Sequence, residues 1–317
     1  MTKTVLLSAG GTGGHLFPAQ ALAQEMAQTG WRIHLATDPR AKTFVANFPA
    51  EEVHIIKSAT FTGKNPIALT KTFSALAGGY FAARGVISKV KPDIVVGFGG
   101  YPTVPPLLAA IHKGLPSILH EQNAVMGRAN KFLSNKVTAI ATGFALVNQV
   151  TRNHAPVVVT GNPLRQIAHE AAQHSYDVPT KNGPFNLLVF GGSQGARFFS
   201  QVVPAALGLM EQSLLNRLRI TLQARPEDAE IAREALNKLY VGGEVEEFFS
   251  DMPLRIAQSH LVICRSGASS VSELALIGRP SILVPLPGAL DDDQGANAAQ
   301  LENAGGAVLV RQKELSP

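Results

Sequence analysis

The sequence predicts an α/β protein of two Rossmann-like, doubly wound domains facing one cleft. Three observations carry this. Apolar strands alternate with helical stretches through both halves, the pattern of parallel sheets covered on two faces. Two glycine loops, at 8–15 and 191–197, each follow an apolar run. The tetrapeptide Pro-Ser-Ile-Leu stands at 116–119 and again at 280–283, each time after a helical stretch ending in Gly plus one residue, Gly114-Leu115 and Gly278-Arg279. The same four letters at the same step of a strand–helix–strand order argue for two similar domains. The junction falls near Gly161-Asn162-Pro163, which gives domains of 1–162 and 163–317.

Taken in order, residues 5–7 form a strand, 17–29 a helix, 31–36 a second strand and 53–56 a third. A mostly helical stretch over 65–90 leads to a buried strand at 93–97 and a helix at 103–113. The strand at 116–119 and two more at 137–141 and 157–159 complete the half. In the second half a strand at 186–190 opens the second glycine loop, with further strands at 261–264, 280–283 and 307–310, while polar 171–184 is a loop. Ligands of doubly wound sheets sit beyond the carboxyl ends of the strands. The polar loops at 8–15, 97–101, 120–123, 191–197, 264–273 and 285–297 all follow strands, so two facing domains would line one two-substrate cleft.

The 317 residues suffice for two cores, and 45% hydrophobic content is an ordinary globular balance. One cysteine, Cys264, excludes an internal disulfide framework and fits a reducing compartment. Residues 1–3 run directly into the first strand, so no signal peptide is expected, and no window is apolar enough for a membrane span. Residues 1–165 carry 16 Lys and Arg against 6 Asp and Glu, while residues 166–317 carry 12 against 17. The basic first half suggests an anionic partner. Its cations are scattered and rarely interleaved with aromatics, which argues against nucleic acid and leaves an anionic lipid surface or a merely solvated face.

The first glycine loop, Gly10-Gly11-Thr12-Gly13-Gly14-His15, enters a helix, where free amides and the dipole attract anions. Pro18 is expected in the first helical turn, where its missing N–H costs nothing. Leu16 replaces the third glycine of the dinucleotide fingerprint, and no GxxxxGK[ST] occurs. His15 at a helix start is kept neutral and suits a general base, or it packs in the loop. His120-Glu121-Gln122-Asn123 crowds four polar side chains at one strand end, as a site or as a loop fastening. Ser193 sits in the second phosphate-like loop. Ser270 and Glu273 fit a capping box, in which Glu273 would bond the Ser270 amide, and this is preferred on spacing to a ribose contact. A metal at Asp291-Asp292-Asp293 is rejected, because solvated acidic loops are common and no histidine pair supports an ion. Over 65–84, Ile67, Leu69, Phe73, Leu76, Tyr80 and Phe81 stand among Lys64, Lys71 and Arg84, which is core or a bilayer-facing surface.

Seven segments together identify a resemblance: GGTGGHLFPA at 10–19, GFGGYPTVPP at 97–106, LHEQNAVMGRANK at 119–131, GNPLR at 161–165, FGGSQGAR at 190–197, CRSGASSVSE at 264–273 and DQGANA at 293–298. In this order the chain resembles the MurG family of bacterial N-acetylglucosaminyltransferases. The resemblance implies a B-fold glycosyltransferase, metal-independent, cofactor-free and inverting. It would carry N-acetylglucosamine from UDP to the 4-hydroxyl of the muramoyl sugar of undecaprenyl-diphosphate-muramoyl-pentapeptide (lipid I), peripherally at the cytoplasmic face of the inner membrane. It also implies Arg165 and the Phe249 backbone near uracil, Glu273 on the ribose, and Gly192 and Ser193 at the donor diphosphate. Arg265, Ala268, Ser269 and Ser270 fill out the sugar-nucleotide loop, and Gln294 and Asn297 reach the sugar. Thr12, Gly13 and Asn123 are grouped with the donor contacts, Gly11, Gly14 and Tyr101 with the acceptor diphosphate, and His15, His120 and Glu121 with catalysis. Asp293 and Ser200 depart from residues common in relatives. Relatives also continue past the position of Pro317, so the chain is expected to lack C-terminal helices. A nucleotide-dependent oxidoreductase and a truncated, inactive binding protein stay as alternatives.

Overall fold

The computed structural model describes residues 2–43, 45–57, 66–145, 154–192, 196–288 and 291–317, with backbone only at 42, 43 and 66–73. The chain divides into two compact units, Met1–Arg165 and Gln166–Pro317.

In the first unit, β1 (Thr4–Ser8), β2 (Arg32–Thr37), β3 (Glu52–Ile55), β4 (Ile94–Gly97), β5 (Ser117–Glu121), β6 (Ala139–Thr142) and β7 (Val157–Val159) form a parallel sheet ordered β3-β2-β1-β4-β5-β6-β7. The helices are α1 (Gly13–Gln28), α2 (Pro66–Val90), α3 (Val104–His112) and α4 (Arg128–Leu133). Side chains alternate across the sheet, and both faces are dry. Val5 and Leu7 pack with Leu16, Ala19 and Ala23 of α1. Leu6 faces the opposite layer with Ala83 and Ile87 of α2, Leu107 of α3 and Leu133 of α4. Gly97 is required there, because a Cβ would run into the Leu107 side chain.

In the second unit, α5 (Gln166–Ala171) precedes β8 (Phe185–Phe190), α6 (Arg197–Leu207), α7 (Gln212–Leu215), β9 (Leu218–Gln223), α8 (Pro226–Lys238), β10 (Gly242–Glu246) and α9 (Met252–Ala257). Then follow β11 (Leu261–Cys264), α10 (Ala268–Ile277), β12 (Ser281–Leu283), α11 (Asp293–Asn303) and β13 (Ala307–Leu309). The sheet is parallel, ordered β10-β9-β8-β11-β12-β13. Numbered from its own first strand, each sheet runs 3-2-1-4-5-6, the order of doubly wound nucleotide-binding sheets, and the first adds β7 as a seventh strand. The repeated tetrapeptide is in the same register in both. Ser117, Ile118 and Leu119 pair with Val95, Val96 and Gly97, while Ser281, Ile282 and Leu283 pair with Val262, Ile263 and Cys264.

Two local expectations are corrected. The first helix begins at Gly13, not 17, with extended Thr12 as its N-cap, whose carbonyl accepts the amides of His15 and Leu16 at 3.1 and 3.0 Å. Pro18 therefore lies in the second turn and leaves the Gly14 carbonyl without its usual i+4 donor. Burial of Leu16 and Ala19 holds the helix through this defect. Between 198 and 260, where the sequence pattern places no strand, the structure has β9 and β10 around α8.

The units differ where the repeat diverges. Gly114 and Gly278 each take a left-handed conformation after their helix, with φ of 67° and 73°. Leu115 then packs against the apolar core, whereas Arg279 is buried and donates to five carbonyls: Ala257 at 2.7 Å, Ile277 at 2.8 Å, Gly278 at 3.4 Å, His174 at 2.9 Å and Ser175 at 3.0 Å. Arg279→Leu strands these acceptors and should destabilise the second unit by about 2–4 kcal/mol, read by urea unfolding. A loss within 0.5 kcal/mol of zero would show that water takes over those carbonyls.

Candidate active site

The first glycine loop is shaped by Asp38, at the end of β2. The Gly11 amide donates to its Oδ2 at 3.2 Å, and Arg40 donates to both oxygens at 3.1 and 2.8 Å. Burial alone would raise this carboxyl, but the hydrogen bonds from Arg40 and Gly11 outweigh it and hold Asp38 below the usual carboxylate range. A Cβ on Gly11 would lie 2.6 Å from that of Arg40, so only glycine fits. Thr12 and Gly14 are exposed, and among the described residues no partner takes the amides of Gly13 and Gly14. They form an anion-binding helix start. Asp38 escaped the sequence reading, although an acid ending the second strand is the residue that binds ribose in dinucleotide enzymes. Here its oxygens are spent on Arg40 and Gly11, which removes the support for the oxidoreductase alternative.

His15, in the first turn of α1, rests against Gly99 and Gly100, both at positive φ (85° and 75°), where a Cβ would stand 3.4 Å from the imidazole. Half-buried Tyr101 follows directly. From His15 a hydrogen-bonded chain runs inward: Nδ1 to Gln122 Oε1 at 3.1 Å, Gln122 Nε2 to His120 Nδ1 at 3.0 Å, and His120 Nε2 to the Gly161 carbonyl at 3.2 Å. Two carbonyls determine its polarity. Gln122 Nε2 also bonds the His120 carbonyl at 3.0 Å, and a carbonyl only accepts. Gly161 likewise demands a donor, so His120 carries its proton on Nε2 and accepts on Nδ1. Gln122 Oε1 then accepts from His15 Nδ1–H, which leaves the lone pair of His15 on Nε2. Burial pushes His120 down to about 4, so it stays neutral at physiological pH.

Glu121 is 2% exposed and acts as a knot. Oε1 accepts from the Asn123 amide at 3.0 Å and its side chain at 3.3 Å, and Oε2 from the Gly127 amide at 2.9 Å and Asn130 at 2.8 Å. The structure thus brings Gly11, Thr12, Gly13, Gly14, His15, Tyr101, His120, Glu121 and Asn123 to the carboxyl ends of β1, β4 and β5. Arg165 closes this unit, with its guanidinium 4.3 Å above the Phe17 ring.

In the second unit Gly192 (φ 80°) follows β8; Ser193 lies outside the described residues. Helix α10 starts at Ala268 with Gly267 as N-cap, so Ser270 and Glu273 lie in its first and second turns. The capping-box expectation is corrected: Glu273 is too deep in the helix to bond the amide of a cap. It is 7% exposed, and its charge adds to the burial that raises the Cys264 thiol. The Arg265 guanidinium turns inward, donating to the carbonyls of Val284 and Pro285 at 3.1 and 3.0 Å and to Gln312 at 2.6 Å. Gln294 accepts from the Leu286 amide at 2.9 Å, and buried Asn297 donates to the Ser266 carbonyl at 3.2 Å. Phe249, after β10, is buried under Arg255 at 4.1 Å. The hydroxyls of Ser200, Ser266 and Ser269 are buried without a partner among the described residues, a cost that a polar ligand would relieve. Asp292 is paired with Arg311 at 2.7 Å. Far from Asp291-Asp292-Asp293 in the chain, strand pairing brings His34 and His54 together beside Glu52.

The His120 assignment predicts a pH signature. Its unfolded state takes a proton near pH 6.5 and its folded state only near 4, so the stability it confers is full above 6.5 and falls as pH drops between them, by roughly 3 kcal/mol in all. Urea unfolding of His120→Asn should show a lower stability at pH 7 and a smaller further loss on acidification. Parallel pH profiles for the two proteins would show that His120 is not a buried neutral group.

Comparison with known proteins joins these loops to a family. Residues 5–142 match the glycosyltransferase family 28 N-terminal domain, and residues 186–317 the family 28 C-terminal domain. Over 313 residues, 99% of this chain and 82% of the relative, it is 56% identical to the UDP-N-acetylglucosamine–N-acetylmuramyl-(pentapeptide) pyrophosphoryl-undecaprenol N-acetylglucosamine transferase of Brucella abortus (strain S19). The protein of that name from Rhizobium rhizogenes is 55% identical over 99% of this chain and 83% of its own. Among solved structures, Acinetobacter baumannii MurG matches with a TM-score of 0.75 and 28% identity, over 100% of this chain and 88% of that one. The kitacinnamycin glycosyltransferase, at 0.70 and 18%, shares the fold over 100% of this chain and 88% of its own. With both of its doubly wound sheets matched in order, the chain belongs to glycosyltransferase family 28.

Proposed function

We propose that this protein transfers N-acetylglucosamine from UDP-N-acetylglucosamine to the muramoyl 4-hydroxyl of lipid I, producing lipid II for peptidoglycan synthesis. The observation that carries this reading is the 56% identity, over 99% of the chain, to transferases whose name states the reaction. The site supplies a chemistry for it. His15 Nε2, the lone-pair nitrogen of the chain through Gln122, takes the proton of the acceptor hydroxyl. That oxygen bonds to the anomeric carbon as the bond to the UDP oxygen breaks, UDP leaves with the electron pair, and the configuration inverts. The amides of Gly13 and Gly14 at the start of α1 hold the acceptor diphosphate, with Thr12 and Tyr101 beside it, while Gly11 shapes the loop through its bond to Asp38.

On the donor side, Glu273, free of a capping role, accepts from the ribose hydroxyls. Gly192 and Ser193 meet the diphosphate, Arg165 and the Phe249 backbone the uracil, and Gln294, Asn297 and Asn123 the sugar. Ala268, Ser269 and Ser270 present the first turn of α10, and Arg265 holds that loop in shape. His120 and Glu121 position rather than transfer protons, since His120 is already bonded to Gln122 and the Gly161 carbonyl, and Glu121 to Asn123, Gly127 and Asn130. Turnover of lipid I with UDP-N-acetylglucosamine tests the whole reading and should survive chelation. His15→Ala should lower kcat by about 10²–10⁴ with donor affinity unchanged, and Gln122→Met should fall between wild type and His15→Ala. No turnover by this chain would favour the binding-protein alternative, and a His15→Ala variant with near-normal kcat would move the base elsewhere.

The acceptor is anchored in a bilayer, and no described helix is long and apolar enough to cross one. We therefore place the protein peripherally on the anionic cytoplasmic surface, through its first unit. Phe81 of α2 is 66% exposed and Phe132 of α4 53%, with the Lys136 ammonium 4.6 Å from the Phe132 ring. Arg84 lies over Tyr80. The side chains of Ile67, Leu69, Lys71 and Phe73, and Lys64 entirely, fall outside the described residues. Exposed aromatics among cations suit the headgroup interface. Flotation should show binding to anionic vesicles that weakens with salt and, further, in Phe81→Ser/Phe132→Ser. Equal binding to neutral vesicles at all salt concentrations would overturn the electrostatic part.

A further inference from the structure

We propose that His34, His54 and Glu52 form a binding site for a zinc-type divalent cation, at the β2–β3 edge of the first sheet. The register of β2 and β3 creates it. His34 pairs with Glu52 and Ala36 with His54, so Glu52 and His54, two apart on one strand, flank His34 on the same face. Both imidazoles are more than nine-tenths buried. Their rings are stacked within 20° of parallel, and His34 Nδ1 stands 3.3 Å from His54 Nε2. Two nitrogens bound to one tetrahedral zinc at about 2.0–2.1 Å are themselves about 3.3–3.4 Å apart. The facing nitrogens are hydrogen-bonded to each other at about the separation of two ligands on one ion, so an ion binding there releases the proton they share to solvent.

Carboxylates also stand near the far nitrogens, beyond hydrogen-bond length. His34 Nε2 is 3.8 Å from Glu51 Oε2, and His54 Nδ1 is 3.6 Å from Glu52 Oε1. A carboxylate that closes on an imidazole fixes the tautomer and raises its basicity as a ligand, a role left to Glu51 once Glu52 turns to the ion. One ligand atom each from His34, Glu52 and His54 lies within 4.8 Å of the others, so a modest turn of the half-exposed Glu52 completes a His₂Glu set with water in the fourth place. Imidazole with carboxylate selects zinc, cobalt or nickel over magnesium and calcium. The cations facing the pair are Arg32, held by Glu51 at 2.8 Å, and Lys89, which holds both Glu52 oxygens at 2.7 and 2.8 Å. Lys89 is thus the built-in competitor, an ammonium standing where a cation would draw the carboxylate.

The test uses the full chain without a histidine tag, stripped by chelator and titrated with Co²⁺ and then Zn²⁺. One equivalent of Co²⁺ should give the visible spectrum of a tetrahedral site and be displaced by Zn²⁺, and zinc should raise the Tm. His54→Ala should lose the spectrum, and Glu51→Gln should weaken binding about 10- to 100-fold. Lys89→Gln, on the exposed rim and harmless to the core, should tighten binding several-fold by releasing Glu52. A folded wild type and Lys89→Gln that bind no stoichiometric cobalt would overturn the proposal. So would binding that His54→Ala leaves intact.

Discussion

The arrangement of the acceptor half depends on how one buried amide is oriented. Gln122 is 2% exposed, and its Nε2 has both hydrogens committed to His120, one to the ring and one to the carbonyl. Its backbone carbonyl receives Asn162 at 3.0 Å. Turning the amide over would set an oxygen against the His120 carbonyl and strand two acceptors in a site closed to water, at a cost of several kcal/mol. The polarity of the chain from Gly161 to His15 follows from that one constraint. It presents a lone pair at the helix start, where the amides of α1 also face outward.

Around this chain the loops are tied down by groups that do no chemistry themselves. Asp38 holds Gly11 from the side of β2, and Glu121 gathers four donors of the 123–130 segment. Gly99 and Gly100 take the positive φ values with which the chain passes against the imidazole of His15. A catalytic group held by packed, hydrogen-bonded neighbours keeps its geometry without reorganisation during reaction. The two units achieve similar sheets by different means. Where the first packs Leu115 on its core, the second spends a buried guanidinium on backbone carbonyls, and Arg265 does the same for the ends of β12 and the C-terminal turn.

Much of this was legible in the amino acids. Strand–helix alternation, glycine loops and the repeated Pro-Ser-Ile-Leu anticipated two parallel sheets, and the seven motifs anticipated the family. What was missed has identifiable causes. Glycine and Pro18 hid the true start of α1, because both disfavour helix and tertiary burial of Leu16 and Ala19 overrode them. Ser270 and Glu273 imitated a capping box one turn inside α10. The strand β9 was passed over although Leu218-Arg219-Ile220-Thr221-Leu222 alternates, because its apolar count is low beside the continuous runs of β1 and β11.

The sequence by itself determined which residues stand at strand ends and which faces are apolar, since both follow from periodicities of 2 and 3.6 along the chain. Side-chain partnership was decided only by the tertiary structure. His15 and Gln122 are 107 residues apart, Arg279 and His174 105, and His34 and His54 20. Each pair meets through strand order and register, which are properties of the assembled sheet. A histidine's tautomer, a glutamate's freedom from capping and a cation's choice of carboxylate are local electrostatic outcomes of neighbours that no window of sequence contains.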